Sequence, residues 1–503
     1  MFLIRKLPLL FMGAVFFVAL KAFTSGHSKE LKVLLNATDP SAAYDPAKKL
    51  NSASYFLLEN IYSPLLEYSP ENELVSGLAK RFEWAGPEAR FYLRDDVRTV
   101  DGQPIDARDA EISLKRQFIR GGPGAEVLRV MLCGKRKPQS LADACEGLEV
   151  RENGRLLVMR FKAKNTFLFH LLTDISYAVI PRASIDKVDL TIRDYRNTSG
   201  PYYIYSEAAG GNMELRPNPA HYRFSKAMPQ RVRIVPLDGH KKNKEILESL
   251  SKGEVDYLGG GIVRSPDDKF DFAKKNRDFN LYLSQPIRML FVVFSGHGMK
   301  SLSKDERLFI GRKLREIYPV RHKISETPEQ IFKLEGLLTR EQLLNFREAL
   351  GRPAEKVLAK RLETKMLYGY YWLDESDIRK WFPNAVYSDR EPFRSRKEIP
   401  PEDFSLLGCE IGFQDDVGLI SYFMRLDFFA MSEKEKAAWL LRYMKNADRA
   451  ERDRMLRDLQ YRTMMDAKVI PLAVLPYASL SRKPWKPRYP SALAGDPLWR
   501  LRR

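Results

Sequence analysis

Side chains that commonly do chemistry are sparse in this chain of 503 residues. Six histidines are present. His170 and His221 sit in a strand-like and a turn-like stretch, and neither has a serine or cysteine at a spacing that builds a nucleophile–base pair. The glycine runs Gly121–Gly122 and Gly259–Gly261 lack the Lys-Ser/Thr that a phosphate loop requires. Paired acids such as Asp95–Asp96 fit a turn better than acid–base work. The three cysteines, Cys133, Cys145 and Cys409, form no metal-type CxxC. Cys133 and Cys145 flank a short polar stretch, where a disulfide in an oxidising compartment and two free thiols are both compatible readings. Cys409 lies between apolar residues and reads as a small buried hydrophobe. The aromatic run Tyr370–Tyr371–Trp372 offers stacking surface. Strand alternation sends Tyr371 to one face and Tyr370 with Trp372 to the other, for core packing or for contact with a ligand. The expectation is a protein that is not an enzyme, with no cofactor and no metal site.

The elements that must position such residues belong to more than one compact unit, because a chain of this length exceeds a single core. Hydrophobic residues make up 44% and charged residues 30%, which excludes a membrane bundle and a disordered chain. The net charge is +19, yet Lys and Arg are spread through every segment among 65 acids. With no basic run and no Cys/His finger, this reads as a solvated basic surface and not as a nucleic-acid site. At the amino end, Arg5 and Lys6 precede an apolar run from Leu7 to Leu20, then Lys21 and a polar stretch. That is the layout of an export signal over residues 1–25, too short to span a bilayer. Ala22 and Gly26 are the candidate cleavage positions. An uncut leader tethering the protein to the inner membrane is the alternative.

Periodicity predicts strands at Leu31–Leu35, Phe91–Leu93, Arg155–Phe161, Tyr177–Ile180, Tyr202–Tyr205, Met213–Leu215, Arg231–Val235, Val255–Leu258, Leu281–Phe294 and Val469–Leu475. Helices are expected at Ser54–Ser63, Asn243–Ser251, Glu306–Ile317 and Lys434–Met465. Thr327 is expected to cap a mostly helical stretch to Leu362, with a break at Gly351–Pro353. Asp106 is placed to cap a helix whose Ala110, Leu114 and Phe118 share one face, with Asp109 in its first turn. The order of elements predicts α/β organisation.

Several segments, in order, resemble bacterial extracellular solute-binding proteins of family 5, which serve oligopeptide, dipeptide and nickel ABC transporters. The first runs Gly77–Trp84, Phe91–Arg98, Asp101–Ala110 and Ser113–Arg116, with Asp45–Pro46 and Ile61–Leu66 upstream. The second is Thr198–Ser199–Gly200–Pro201–Tyr202 followed by Glu214–Pro219 and Tyr222. The third is Leu250–Tyr257, and Ile470–Pro471–Leu472 resembles the family's closing strand. The resemblance implies an α/β, two-lobed periplasmic-binding-protein fold of the Venus-flytrap kind (class II) with an additional small domain. Lobe I would combine residues 31–51, 195–286 and 466–503. The small domain would be 52–194, and lobe II 287–465. The implied function is capture of a peptide-like ligand between the lobes and delivery to the permease subunits of an ABC importer, by a monomer in the periplasm.

The resemblance also implies site residues. In the family, a Trp-x-x-Asp-Tyr-x-x-Pro segment supplies the acid that neutralises a peptide's α-ammonium, a group costly to bury unpaired. Here the corresponding stretch is Asp403–Asp416. Ile411 takes the Trp position and Gln414 the Asp position, with Asp415 and Asp416 one and two residues on. Those two acids either serve the ammonium or cap a helix beginning near Leu419. Tyr370, Tyr371 and Trp372 from lobe II, and Ser52 and Ser54 where lobe I meets the cleft, complete the candidate set. Because Gln414 departs from the family pattern, a non-peptide solute such as a metal chelate or glycan is the alternative, as is a sensor or docking role.

Overall fold

The computed structural model describes residues 30–36, 44–48, 52–69, 73–121, 125–134, 136–162, 168–208, 212–237, 243–259, 266–321, 325, 327–332, 337–351, 365–367, 386–387, 403–410, 420, 423–424, 428–429, 431–446, 448–487 and 497–502. Among them, a 10-stranded sheet runs through the molecule. Its order is Val386–Tyr387, Lys365–Leu367, Phe404–Glu410, Phe279–Phe294, Val469–Arg482, Tyr257–Leu258, Glu30–Asn36, Arg231–Leu237, Met213–Pro217 and Tyr202–Glu207. A separate four-stranded antiparallel sheet is made of Ala79–Ala85, Glu88–Leu93, Leu156–Arg160 and Leu148–Arg151.

The apolar residues gather into distinct cores. One surrounds Phe291, Phe294, Leu314, Phe423 and Leu456. A second holds Leu31, Val33, Phe56, Tyr202 and Val232, and a smaller cluster around Leu34, Ile246, Leu250 and Leu480 lies in the same half of the large sheet. A third, under the small sheet, packs Leu78, Phe91, Leu114, Phe118 and Met159. Only two strands run from one half of the large sheet into the other among the described residues. Phe279–Phe294 and Val469–Arg482 each have one end in the small cluster, through Phe279 and Leu480, and the other in the first core. The α/β two-lobed architecture is as expected.

Local chemistry explains the motifs. Asp106 opens the helix Ala107–Arg120, accepting from the N–H groups of Arg108 and Asp109, while the Asp109 carboxylate accepts from Asp106 N–H. This reciprocal cap satisfies donors that the first turn leaves orphaned. Ala110, Leu114 and Phe118 are buried on its inner face. The Thr-Ser-Gly-Pro-Tyr motif is a clasp on the end of the helix Ser52–Ile61. Gly200 N–H donates to Ile61 O at 2.9 Å, and Ser199 Oγ accepts from Ser63 N–H at 3.0 Å. Asp45, before Pro46, pairs at 2.7 Å with Arg116, whose Nε donates to Leu190 O. Cys133 and Cys145 are joined in a disulfide with their Cα atoms 4.5 Å apart.

Two expectations differ from the structure. Tyr177–Ile180 is no strand. A short 3-10 turn spans Ile175–Tyr177, held by Asp174 accepting from Ser176 N–H, and Val179 then makes a single bridge to Ser63. Thr327 caps no helix. The helix starts at Arg340, where Thr339 Oγ1 accepts from Gln342 N–H and Gln342 Oε1 accepts from Thr339 N–H, a cap that competes better than a Thr-Pro pair. The stretch Lys434–Met465 is helical as expected, built as two helices, Glu433–Lys445 and Arg449–Met465, because Asp448 caps a second start.

Candidate ligand-binding site

Strand direction and register locate the site. Glu30–Asn36 is parallel to Arg231–Leu237 and to Tyr257–Leu258. Tyr257–Leu258 runs antiparallel to Val469–Arg482, with Tyr257 opposite Ser481 and Leu258 opposite Leu480. The carboxyl ends of these three parallel strands therefore point along the long strand toward its middle. In the other half, Lys365–Leu367 is parallel to Phe404–Glu410, which pairs antiparallel with Phe279–Phe294 so that Glu410 lies opposite Arg288. Those carboxyl ends also point toward the middle of the long strands. Ligands of open α/β sheets collect beyond the carboxyl ends of parallel strands. Here two such sets converge on one crossing.

At the crossing, Arg288 Nη2 donates to Tyr477 Oη at 2.8 Å, and the guanidinium carbon lies 4.3 Å from the centre of that ring. Ser284 Oγ accepts from Tyr477 N–H at 2.8 Å. These polar groups sit where the two cores meet. Sequence reasoning missed them, although Pro286 and Pro476 inside strand-like runs were a signal of an interrupted ladder.

The expected site residues fare unevenly. Ser54 is buried within the helix Ser52–Ile61, only 3% exposed, so it is packed and not presented to solvent. Ser52 begins that helix. Tyr370, Tyr371, Trp372, Gln414, Asp415 and Asp416 lie outside the described residues. The strands that lead toward them, Lys365–Leu367 and Phe404–Glu410, are adjacent and parallel.

The structure does bring one serine to a histidine. Ser63 Oγ lies 3.3 Å from Nε2 of His221, and both residues are buried. His221 Nδ1, however, accepts from Arg223 N–H at 3.2 Å. The proton of the neutral ring is thus on Nε2, which donates to Ser63, so the ring cannot act as a base toward that hydroxyl. Burial, aided by the charge of Arg94, pushes its pKa down to about 3. Below the ordinary value of 6.5 the unfolded chain takes up a proton that the folded chain refuses until about pH 3. Stability should therefore fall with pH across that window by up to about 1.4 kcal/mol per unit from this group. Urea unfolding at pH 7, 6 and 5 checks it, with His221→Gln expected to flatten the slope.

Among the described residues, no group of three His, Cys, Asp or Glu residues is placed to hold a metal ion. Nor is any helix there long and apolar enough to cross a membrane.

Residues 73–310 match the family model of the bacterial extracellular solute-binding proteins, family 5 Middle. A probable D,D-dipeptide-binding periplasmic protein of Escherichia coli is 22% identical over 275 residues, 52% of this chain and 49% of that protein. The chain spans about half the length of the curated relatives it matches. The fold is shared further. The crystal structure of Haemophilus influenzae OppA in complex with RPPGFSPFR superposes with a TM-score of 0.71 at 16% identity, covering 95% of this chain and 99% of that one. Brucella suis NikA in complex with Fe(III)-EDTA superposes with a TM-score of 0.72 at 15% identity, covering 93% and 99%. The middle of the chain thus resembles the bacterial extracellular solute-binding proteins of family 5, and the fold of the solved proteins is shared over nearly the whole chain.

Proposed function

We propose that this protein is a periplasmic solute-binding component of an ABC importer that closes two lobes over a peptide-like ligand and presents it to the permease. The observation that carries the reading is the convergence of two sets of parallel-strand ends on the crossing at Arg288 and Tyr477. Lobe I is residues 31–51, 195–286 and 466–503, the small domain 52–194 and lobe II 287–465. The protein acts as a monomer without cofactor or nucleic acid, exported by its leader over residues 1–25. In this reading Tyr370, Tyr371, Trp372 and Gln414 contact the ligand, and Asp415 or Asp416 neutralises its free amino group. A solved relative of the same fold holds the peptide RPPGFSPFR, which supports this choice.

A second reading, a metal chelate or other non-peptide solute, is favoured by Gln414 at the expected acid and by the relative that holds Fe(III)-EDTA. Thermal unfolding with pools of short peptides at millimolar concentration separates the two. At a hundredfold excess over the dissociation constant, a bound peptide adds about 2.7 kcal/mol of stability. The melting temperature should rise with a peptide pool and not with a chelate. No shift with any pool removes the peptide reading, and a shift with a ferric or nickel chelate alone installs the second.

A further inference from the structure

The segment Leu498–Arg502 is locked against the body of the protein. Leu498–Arg500 is a 3-10 turn, and Leu501–Arg502 pairs with Lys486–Pro487. Leu498 and Leu501 are fully buried in the core around Leu31 and Val33, and Leu498 N–H donates to Asn60 Oδ1 at 2.7 Å. Trp499 lies between these two leucines, so its indole cannot swing out without undoing their packing. Nε1 of that indole is buried and has no hydrogen-bond partner among the described residues. An indole N–H can only donate, and burying it unmatched is costly.

Two guanidiniums share that one ring. The guanidinium carbon of Arg223 is 4.0 Å from the centre of the Trp499 ring and 5.0 Å from that of Tyr222. That of Arg500 is 4.9 Å from the Trp499 ring, and Arg500 Nη2 donates to Tyr68 O at 3.3 Å. A third guanidinium, that of Arg94, lies 4.1 Å from the Tyr222 ring. Arg223 donates to Glu67, and Glu67 also accepts from Tyr222 Oη at 3.4 Å, so this carboxylate is shared. The side chains of Arg223 and Glu67 are only 15% and 12% exposed. Burial and the charge of Arg500 both act against the Arg223 cation and lower its pKa. Asp96, which acts on Tyr222, is exposed to water. Like charges held beside one ring and a donor without an acceptor have a common remedy, an anion with several lone pairs. Guanidinium forks and N–H groups bind oxyanions through charge-assisted hydrogen bonds.

We propose that Trp499 Nε1, with the flanking guanidiniums of Arg223 and Arg500, forms a binding site for a small oxyanion, a phosphate or a carboxylate. The site shares no residue with the crossing at Arg288 and Tyr477, so its test is independent of the peptide reading. Isothermal titration of the full chain at pH 7 with sodium phosphate, and separately with sodium acetate, tests it, with ionic strength held constant by chloride. Saturable binding is expected. Saturation by phosphate alone assigns a phosphate site, by acetate alone a carboxylate site, and by both a general oxyanion site. Trp499→Phe keeps a ring beside the guanidiniums and removes the N–H. It should weaken binding about tenfold, the usual worth of a hydrogen bond to a charged group. Glu67→Gln removes the competing charge and keeps an acceptor for Arg223, so it should tighten binding. No saturable heat with either anion overturns the proposal. So does an affinity that Trp499→Phe leaves unchanged, because the ion then sits elsewhere. Should that variant fail to fold, Glu67→Gln decides, and binding that stays the same or weakens overturns the site.

Discussion

Gly200→Val is expected to lower unfolding stability by at least about 3 kcal/mol, near the upper range for forcing atoms into a packed site. A Cβ on Gly200 would lie 2.3 Å from the carbonyl carbon of Ile61 and 2.6 Å from both Ile61 O and Tyr62 N. All three are backbone atoms at the end of the helix Ser52–Ile61, so no side chain can swing aside. Relief requires moving the helix end, which breaks the Gly200 N–H bond to Ile61 O and the Ser63 N–H bond to Ser199 Oγ together. Ser199 Oγ also donates to Val179 O, so the disturbance reaches the third core. Gly296→Ala is the matched control, since a Cβ there meets nothing within 4 Å. It should change stability by no more than about 1 kcal/mol. Urea midpoints for the two variants make the comparison.

Asp45→Ala is expected to cost about 3–5 kcal/mol, the usual consequence of leaving one partner of a buried ion pair alone. The side chain of Arg116 is 1% exposed and that of Asp45 is 6% exposed. Without the carboxylate, the guanidinium keeps Leu190 O as its acceptor among the described residues. Arg116→Met added to Asp45→Ala should recover a large part of the loss, because no bare charge then remains. Acid gives the same information another way. Burial pushes the Asp45 carboxyl up, but the Arg116 hydrogen bond and charge, the Ala47 N–H and Arg120 outweigh it and hold the carboxyl below its ordinary value. Its contribution is complete above the ordinary carboxylate pKa of 3.8 and is lost as pH falls through the lower folded value. Asp45→Ala should therefore lose most of its deficit relative to wild type at the acid end. Denaturant unfolding from pH 6 down to pH 2.5 checks that convergence.

These two sites show what the sequence made legible and what it withheld. The helix after Asp106 was readable because its cap and its apolar face are local patterns of three and four residues. The helix Asn243–Ser251 was readable for the same reason. Gly200 was recognisable as part of a motif, but its purpose was not, because the atoms that exclude a Cβ belong to residues 61 and 62. Asp45 and Arg116 are 71 positions apart, and nothing local marks them as partners. The candidate ligand site is the extreme case. Its position follows from which strand ends face each other, with Glu410 opposite Arg288 and Leu258 opposite Leu480, and register of that kind is set by packing across the whole sheet. Ser54 was placed at a cleft by family resemblance and proves to be buried, since an exposed serine and one packed in a helix look alike in sequence.

The position of the strand Val469–Arg482 bears on how the chain reaches its folded state. It lies at the middle of the large sheet, between Phe279–Phe294 and Tyr257–Leu258. Every other strand of that sheet precedes it in the chain. Until it arrives, the sheet is two fragments, each with an unsatisfied edge and a half-covered core, and joining them means closing loops of well over a hundred residues. Contacts that distant form slowly. A polypeptide built this way stays loose until its last long strand is delivered, whether from a ribosome or through a narrow translocation channel. The same lateness leaves those open edges exposed to other chains for the whole interval, so a partner that shields them would raise the yield of folded protein.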